Sequence, residues 1–260
     1  MKPVIGILKS VYAVWSLLVF SSTYVLLFPF FWLIVLNKKR WHAYTGTVNK
    51  IWAYLVYSLI AMPMRTEYRA KFSKKKTYIF CPNHTSYLDI PIVGFSAPHF
   101  VMFVGKSSLN KIPLFGYMFR NLHIPVNRQS ITQSYRTFEK AKAALDQGHS
   151  LLIFPEGGIN DHNVPDVKNL KDGAFRLAIE KQIPIVPVTI PYNWIILHDD
   201  VVQMTWHPSK IIYHEPIETQ GMTLQDVGAL KQKLRETIRE EMARHFPGQI
   251  TLAHQVQGNS

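Results

Sequence analysis

The chain has 260 residues and a formal net charge of +12, from 29 Lys and Arg against 17 Asp and Glu. That length is long for one ordinary domain and short for two, which predicts one α/β domain with an appended N-terminal element. The single cysteine, Cys81, excludes an intramolecular disulfide and fits a reducing setting.

The hydrophobic fraction of 47% lies in the soluble range on average, but the apolar residues gather at the front of the chain. Val11 to Leu36 carries no charge. As a straight helix it would run about 39 Å at ~1.5 Å per residue, more than the ~30 Å hydrocarbon core of a bilayer. It is therefore predicted to tilt or to break at Pro29, either spanning a membrane or lying in one leaflet. Asn37-Lys38-Lys39-Arg40 follows where a signal peptide would show a small-residue cleavage site, so the segment is expected to stay on.

The second apolar run, Ile51 to Met64, would reach only about 21 Å as a helix and is too short to span. It reads as interfacial or re-entrant, with Trp52, Tyr54 and Tyr57 at headgroup level, or else as a buried core helix. Lys38, Lys39, Arg40, Lys50, Arg65, Arg69, Lys71, Lys74, Lys75 and Lys76 flank both runs. By the positive-inside tendency they place that side in the cytoplasm, against an anionic lipid surface. Nucleic acid is not expected as a partner, because no binding signature for it accompanies the charge. Residues 1–70 are thus expected to be hydrophobic membrane-anchoring helices, 71–250 an α/β domain on the cytoplasmic face of an inner membrane, and 251–260 a polar tail.

Lys76 to Cys81 is rich in β-branched and aromatic residues, stops at Pro82, and predicts a buried strand that delivers Asn83 and His84 at its end. Phe100 to Val104, Ser150 to Phe154 and Ile183 to Ile190 read as further strands. Tyr135, Phe138, Ala141 and Leu145 keep helical spacing within Ser134 to Gln147, and Gly148 is its stop. Leu224, Val227, Leu230, Leu234, Ile238 and Met242 predict an amphipathic helix over Thr223 to Phe246. The alternation gives an α/β fold, a largely parallel mixed sheet covered by helices, with functional loops at the C-terminal strand ends.

Two segments can carry chemistry. His84 stands five residues before Asp89, an imidazole to take a proton and a carboxylate to orient it. In an unbroken helix the two would sit about 140° apart around the axis, so the backbone must turn between them, with Thr85 or Ser86 as the N-cap. The alternative is that Asn83 caps a turn and His84 merely packs. Glu156-Gly157-Gly158 follows a strand, where glycine admits a ligand to the backbone and Glu156 can hold hydroxyls; the alternative is an ordinary turn. Gly105-Lys106-Ser107-Ser108 is no nucleotide phosphate loop, since Phe100 stands where that motif needs glycine. Neither a Gly-x-Ser-x-Gly elbow nor a His-Glu-x-x-His pair occurs. His198-Asp199-Asp200, Asp161-His162 and His207-Pro208 lack a spaced ligand set and are expected to be surface groups rather than a metal site.

Four blocks in order resemble the 1-acyl-sn-glycerol-3-phosphate acyltransferases and wider glycerolipid acyltransferases. They are Asn83-His84-Thr85-Ser86-Tyr87-Leu88-Asp89, the family's His-x-x-x-x-Asp block; Gly105-Lys106 through Pro113 and Gly116; Phe154-Pro155-Glu156-Gly157; and Ile185-Val186-Pro187-Val188. The resemblance spans roughly residues 75 to 195. It implies transfer of an acyl chain from acyl-CoA or acyl-carrier protein to a lysolipid hydroxyl, with the N-terminal segments docking on the membrane. His84 would be the general base and Asp89 would fix its tautomer. A thiolate leaves readily, so no metal, cofactor or covalent enzyme intermediate would be required. Asn83, Glu156 and Gly157 would line the acceptor site, and Lys106, Arg128 and Lys171 are candidates for its phosphate.

One position departs from the family pattern. The third block usually continues Gly-Thr-Arg-Ser, whereas Gly158-Ile159-Asn160 follows Gly157 here. Without that guanidinium, Arg128, Lys168 or Lys171 would have to grip the phosphate, or the acceptor would be another lysolipid, such as an aminoacyl lipid. A hydrolase that admits water to the same thioester, and a non-catalytic membrane-binding module, are the rival readings.

Overall fold

The computed structural model describes residues 2–37, 44–127, 131–160, 162–167, 169–197 and 203–250. The expected residues Lys38, Lys39, Arg40, Arg128, Asp161, Lys168, His198, Asp199, Asp200 and the 251–260 tail lie outside them.

The first apolar run belongs to α1 (Lys2–Leu36), a helix of 35 residues and thus about 52 Å at ~1.5 Å per residue. The expected break at Pro29 does not occur, for Pro29 lies inside the helix. A proline there costs about 3 kcal/mol, which the packing of Phe31 and Ile34 in the next turn offsets, at about 1.5–3 kcal/mol for each buried side chain. α2 (Thr45–Leu59) takes only part of the second run. The chain then turns at Ala61, and Met64 opens strand β1 (Met64–Tyr68). The sheet therefore begins inside the segment expected to be membrane helix, and the expected boundary between residues 70 and 71 moves to before Met64. Trp52 takes the buried one of the two alternatives for this run. It is buried rather than at headgroup level, its indole N–H donates to Thr23 Oγ1 at 3.0 Å, and its ring meets Phe20, Tyr24 and Phe95.

The central sheet adds β2 (Ile79–Pro82), β3 (Val101–Lys106), β4 (Ile124–Val126), β5 (Ser150–Ile153), β6 (Ile185–Thr189) and β7 (Ser209–Tyr213). Its order is β1-β7-β6-β2-β5-β3-β4, with β6 and β7 antiparallel and every other neighbouring pair parallel. α3 (Asp89–Ser96) and α4 (Phe115–Leu122) pack on one face, and α5 (Ile131–Asp146), α6 (Gly173–Lys181) and α8 (Val227–His245) on the other, while the single-turn α7 (Asn193–Ile196) follows β6. The strand pleat divides β2 between these layers. Ile79 and Cys81 join Leu177, Leu234 and Ile238, while Phe80 joins Ile92, Val188 and Tyr213. Along α8 the predicted stripe holds for Leu230, Leu234, Ile238 and Met242, all buried, while Leu224 lies exposed in a short 3-10 turn ahead of the helix.

Because β2, β3, β4, β5 and β6 run parallel, their C-terminal ends share one edge of the sheet. Pro82 before His84, Ile153 before Phe154 and Glu156, and Lys106 at the end of β3 all lie on that edge. Open parallel sheets place ligands there.

Candidate active site

Asp89, the first residue of α3, is completely buried and accepts four hydrogen bonds. Its Oδ2 takes His84 Nδ1–H at 3.0 Å and the backbone N–H groups of Thr85 at 2.6 Å and Ser86 at 2.9 Å. Its Oδ1 takes Asn193 Nδ2–H at 2.9 Å. The required turn between His84 and Asp89 is therefore present, and at its start Ser86 Oγ accepts the Leu88 N–H at 3.3 Å, while the Thr85 hydroxyl makes no such bond. The helix sends its own carboxylate back to their amides, which closes the turn and draws the imidazole and the carboxylate together. With Nδ1–H donating to Asp89, the second imidazole nitrogen, Nε2, keeps the lone pair that a general base needs.

Residues of the third block fix the rest of His84. Phe154 stacks on the imidazole with centroids 3.9 Å apart and planes at 23°. Glu156, 3% exposed, accepts the His84 backbone N–H through Oε1 at 2.8 Å. The Asn160 backbone N–H donates to the His84 carbonyl at 2.7 Å. Both peptide groups of His84 are thus tied to one loop. Glu156 was expected to line the acceptor site, and the structure gives that carboxylate a backbone to hold. Asn160 is itself braced, its Nδ2 donating to the Asp166 carbonyl at 2.9 Å and its Oδ1 accepting Asn163 N–H at 3.2 Å.

Asn83 has a structural part as well. Its side-chain amide donates to the Ile190 carbonyl at 3.0 Å and accepts the Ile190 N–H at 2.7 Å, so it clamps the end of β2 to the end of β6. Gly157 has φ of +80°, a backbone conformation open to glycine, and a Cβ there would come within 2.6 Å of the Lys171 side chain. Lys171 therefore extends across Gly157, anchored by its backbone N–H to the Pro155 carbonyl at 2.8 Å. Lys106 is exposed at the end of β3. These two lysines are the phosphate candidates within the described residues. In the second block, Gly116 permits a tight crossing, since a Cβ there would lie 2.1 Å from the Asn110 carbonyl oxygen.

A mostly apolar cavity of about 460 Å³ is lined in part by Tyr87 and Ile90, which flank Asp89 in the chain, and its size is within the ~300–1,000 Å³ of small-ligand pockets. It runs from Tyr87 and Ile90 past Phe95 and Phe119 to Tyr24 and Trp52, between α1, α2, α3 and α4.

Asn193 was not legible from the sequence as part of this site. It stands 104 residues from Asp89, and nothing in its spacing points there. Phe154 lay in a recognised block without an assigned role, and only the fold shows its ring on the imidazole.

The chain matches the family model described as Acyltransferase over residues 64–191. It is 30% identical over 203 residues to a Caenorhabditis elegans protein named as a candidate 1-acyl-sn-glycerol-3-phosphate acyltransferase, covering 75% of this chain and 76% of that protein. It is 25% identical over 198 residues to the 1-acyl-sn-glycerol-3-phosphate acyltransferase of Haemophilus influenzae, covering 74% and 79%. Other curated relatives are longer, the alignment covering 64%, 54% and 48% of three of them. Among solved structures, the 1-acyl-sn-glycerophosphate (LPA) acyltransferase of Thermotoga maritima superposes with a TM-score of 0.78 at 18% identity, covering 95% of this chain and 98% of that one, a likeness of fold.

Proposed function

Since the chain belongs to the acyltransferase family, we propose that it moves an acyl chain from an acyl thioester, acyl-CoA or acyl-carrier protein, to the free hydroxyl of a lysolipid on a membrane. The acceptor we assign is 1-acylglycerol 3-phosphate, and the product phosphatidic acid. One observation carries this reading. A histidine gives its Nδ1–H to a buried carboxylate, Asp89, at 3.0 Å, and Tyr87 and Ile90, on either side of that carboxylate in the chain, line an apolar cavity.

The chemistry follows from the geometry. An imidazole with a reference pKa of ~6.5 cannot ionise an alcohol beforehand, so the proton passes to His84 Nε2 as the acceptor oxygen attacks the thioester carbonyl. The C–O bond forms, the carbonyl becomes an oxyanion, and Asp89 stabilises the imidazolium. Collapse of the tetrahedral species breaks the C–S bond and returns the proton to the leaving thiolate. The cavity from Tyr87 to Trp52 would take an acyl chain, while Lys106 and Lys171 would meet phosphate at the sheet edge.

Membrane attachment is the second half of the proposal. α1 buries Val19, Tyr24, Leu27, Phe31 and Ile34 against the rest of the protein and exposes Val11, Leu18, Val25, Leu26, Phe30 and Leu33. A helix apolar on both faces has its outer face suited to lipid. Because the inner face is docked on the domain, we place α1 in one leaflet of the inner membrane, with the catalytic edge on the cytoplasmic side.

Mass-spectrometric analysis of products from an acyl thioester and a lysolipid panel tests the reading. Wild-type protein should form phosphatidic acid, and His84→Ala should fold but form no product. Transfer retained by His84→Ala would sink the mechanism. Ile159, standing where the family carries arginine, supports a second reading in which a different lysolipid is preferred. A diacyl product without phosphate, formed faster than phosphatidic acid, would select it.

A further inference from the structure

Asp89 is held in two unequal ways. Its Oδ2 takes three donors from within five residues of chain, and these come with the turn itself. Its Oδ1 depends on Asn193 Nδ2, from the turn after β6, at 2.9 Å. With Oδ2 alone fixed, the carboxylate could pivot about its terminal torsion, which is broad for aspartate. A donor on Oδ1 supplies the second point and sets the plane in which Oδ2 meets the imidazole N–H.

Asn193 can do this only in one amide orientation, and the structure fixes that orientation. The Asp89 carboxylate only accepts and so takes the NH₂ group, and the Ser209 hydroxyl, donating to Asn193 Oδ1 at 2.9 Å, pins the other end of the amide. Reversed, the amide would set its oxygen against the Asp89 oxygen. Ser209 is itself fixed, its backbone N–H donating to the Pro63 carbonyl at 2.9 Å in the turn that opens β1. Asn193 and Ser209 are each 1% exposed, so water does not substitute for either bond. Both residues lie beyond the segment 64–191 matched by the family model.

We propose that Asn193, oriented by Ser209, is a positioning residue for the catalytic dyad: it fixes the Asp89 carboxylate plane and through it the tautomer and direction of His84. This rests on the dyad mechanism of the proposed function. Asn193 acts through Asp89 and touches no reacting atom.

The experiment compares Asn193→Asp, Asn193→Ala and Ser209→Ala with the wild-type protein, full chain in detergent–lipid micelles. It uses pH profiles of kcat and kcat/KM, and the downfield His84 Nδ1–H proton resonance after histidine labelling. Asn193→Asp is the decisive variant because it keeps the shape and replaces the donor with a carboxyl group. Two carboxylates at hydrogen-bond distance share a proton, so position 193 donates at low pH and repels once that proton is lost. The expected result is an alkaline limb in kcat that the wild type lacks, with KM little changed. For Asn193→Ala and Ser209→Ala, kcat should fall by at least about 10-fold, a fraction of what a general base supplies, again with KM held. The Nδ1–H resonance should move in all three variants.

A profile that superimposes on the wild type, with that resonance unmoved in Asn193→Asp and Ser209→Ala, overturns the proposal. So does a rise in KM at constant kcat, which would make Asn193 a substrate contact. The resonance is readable without turnover, so a wild type that forms no acyl product strikes the proposed function while the positioning role is still decided. Should Asn193→Ala fail to fold, the shape-conserving Asn193→Asp and the loss of a single buried hydroxyl in Ser209→Ala carry the test.

Discussion

A buried carboxylate that accepts a backbone N–H matters most where nothing can replace it, and Glu156 is so placed beneath His84. Glu156→Gln keeps an oxygen for that N–H. Glu156→Ala strands it, at a cost of about 1–3 kcal/mol for an unsatisfied buried donor. The expected order of activity is wild type, then Gln, then Ala, with thermal midpoints in the same order; equal loss in both variants would give the negative charge itself a direct part in the reaction. His214 offers a separate test by pH. Burial, then the neighbouring Arg69 guanidinium, push its imidazole down from 6.5 to about 4, against the opposing pull of Glu241 and Glu67. Its Nε2–H donates to Thr189 Oγ1 at 2.8 Å, and Arg69 faces Nδ1 at 3.4 Å. The folded state thus binds fewer protons than the unfolded chain between these values. The stability is fully present above pH ~6.5 and drains as pH falls towards 4, by up to about 3 kcal/mol. Denaturant unfolding at pH 7 and pH 4.5 should show His214→Gln losing less stability on acidification than the wild type.

Where elements meet, aromatic rings hold the N-terminal helices to the catalytic domain. Trp52 on α2 reaches Thr23 on α1 and lies edge-on to Phe95 on α3, its centroid 5.1 Å from that ring. Trp52→Ala should cost about 3–5 kcal/mol and lower the thermal midpoint, and its place in the cavity wall should change which acyl chain lengths are used. Gly116→Ala should destabilise by at least about 1–3 kcal/mol, because the Asn110 backbone cannot yield as a side chain would; an unchanged midpoint would show the crossing to be slack. The chain announced the elements whose signal is local. Cys81 ends an apolar run, and Gly148, at φ +81°, stops α5 where expected. β1 gave no such signal. Met-Arg-Thr-Glu-Tyr is a mixed-polarity edge strand that exists by pairing with β7, whose Ser209 lies opposite Met64. The His84–Asp89 pair was legible for the same reason, since only five positions separate its two groups, whereas Asn193 and the backbone role of Glu156 depend on chain returning from afar.

For the whole molecule, two forces can hold the protein to a bilayer, and they separate by salt. The net charge of +12 attracts anionic lipid, each near-surface cation contributing about 1 kcal/mol. That attraction fades as the screening length drops from ~10 Å at 0.1 M salt to ~3 Å at 1 M. The outer face of α1 works by burial, at roughly 1.5–3 kcal/mol for a leucine-sized side chain, and salt does not weaken it. Leu26 at 67% and Leu33 at 49% exposure lie about two turns apart on that face and make no core of their own. The double variant Leu26→Glu with Leu33→Glu should fold with an unchanged thermal midpoint in detergent. It should nevertheless leave anionic vesicles at 1 M salt, where the wild-type protein stays sedimented. Wild-type release at 1 M salt would assign the attachment to charge instead. Retention of the double variant would mean that α1 turns another face to the lipid. Phe20 and Tyr24 on this same helix line the apolar cavity, so the face proposed to meet lipid and the wall proposed to hold the acyl chain would be two sides of one element. Loss of vesicle binding should therefore slow turnover of lysolipid presented in vesicles far more than that of the same lysolipid presented in detergent.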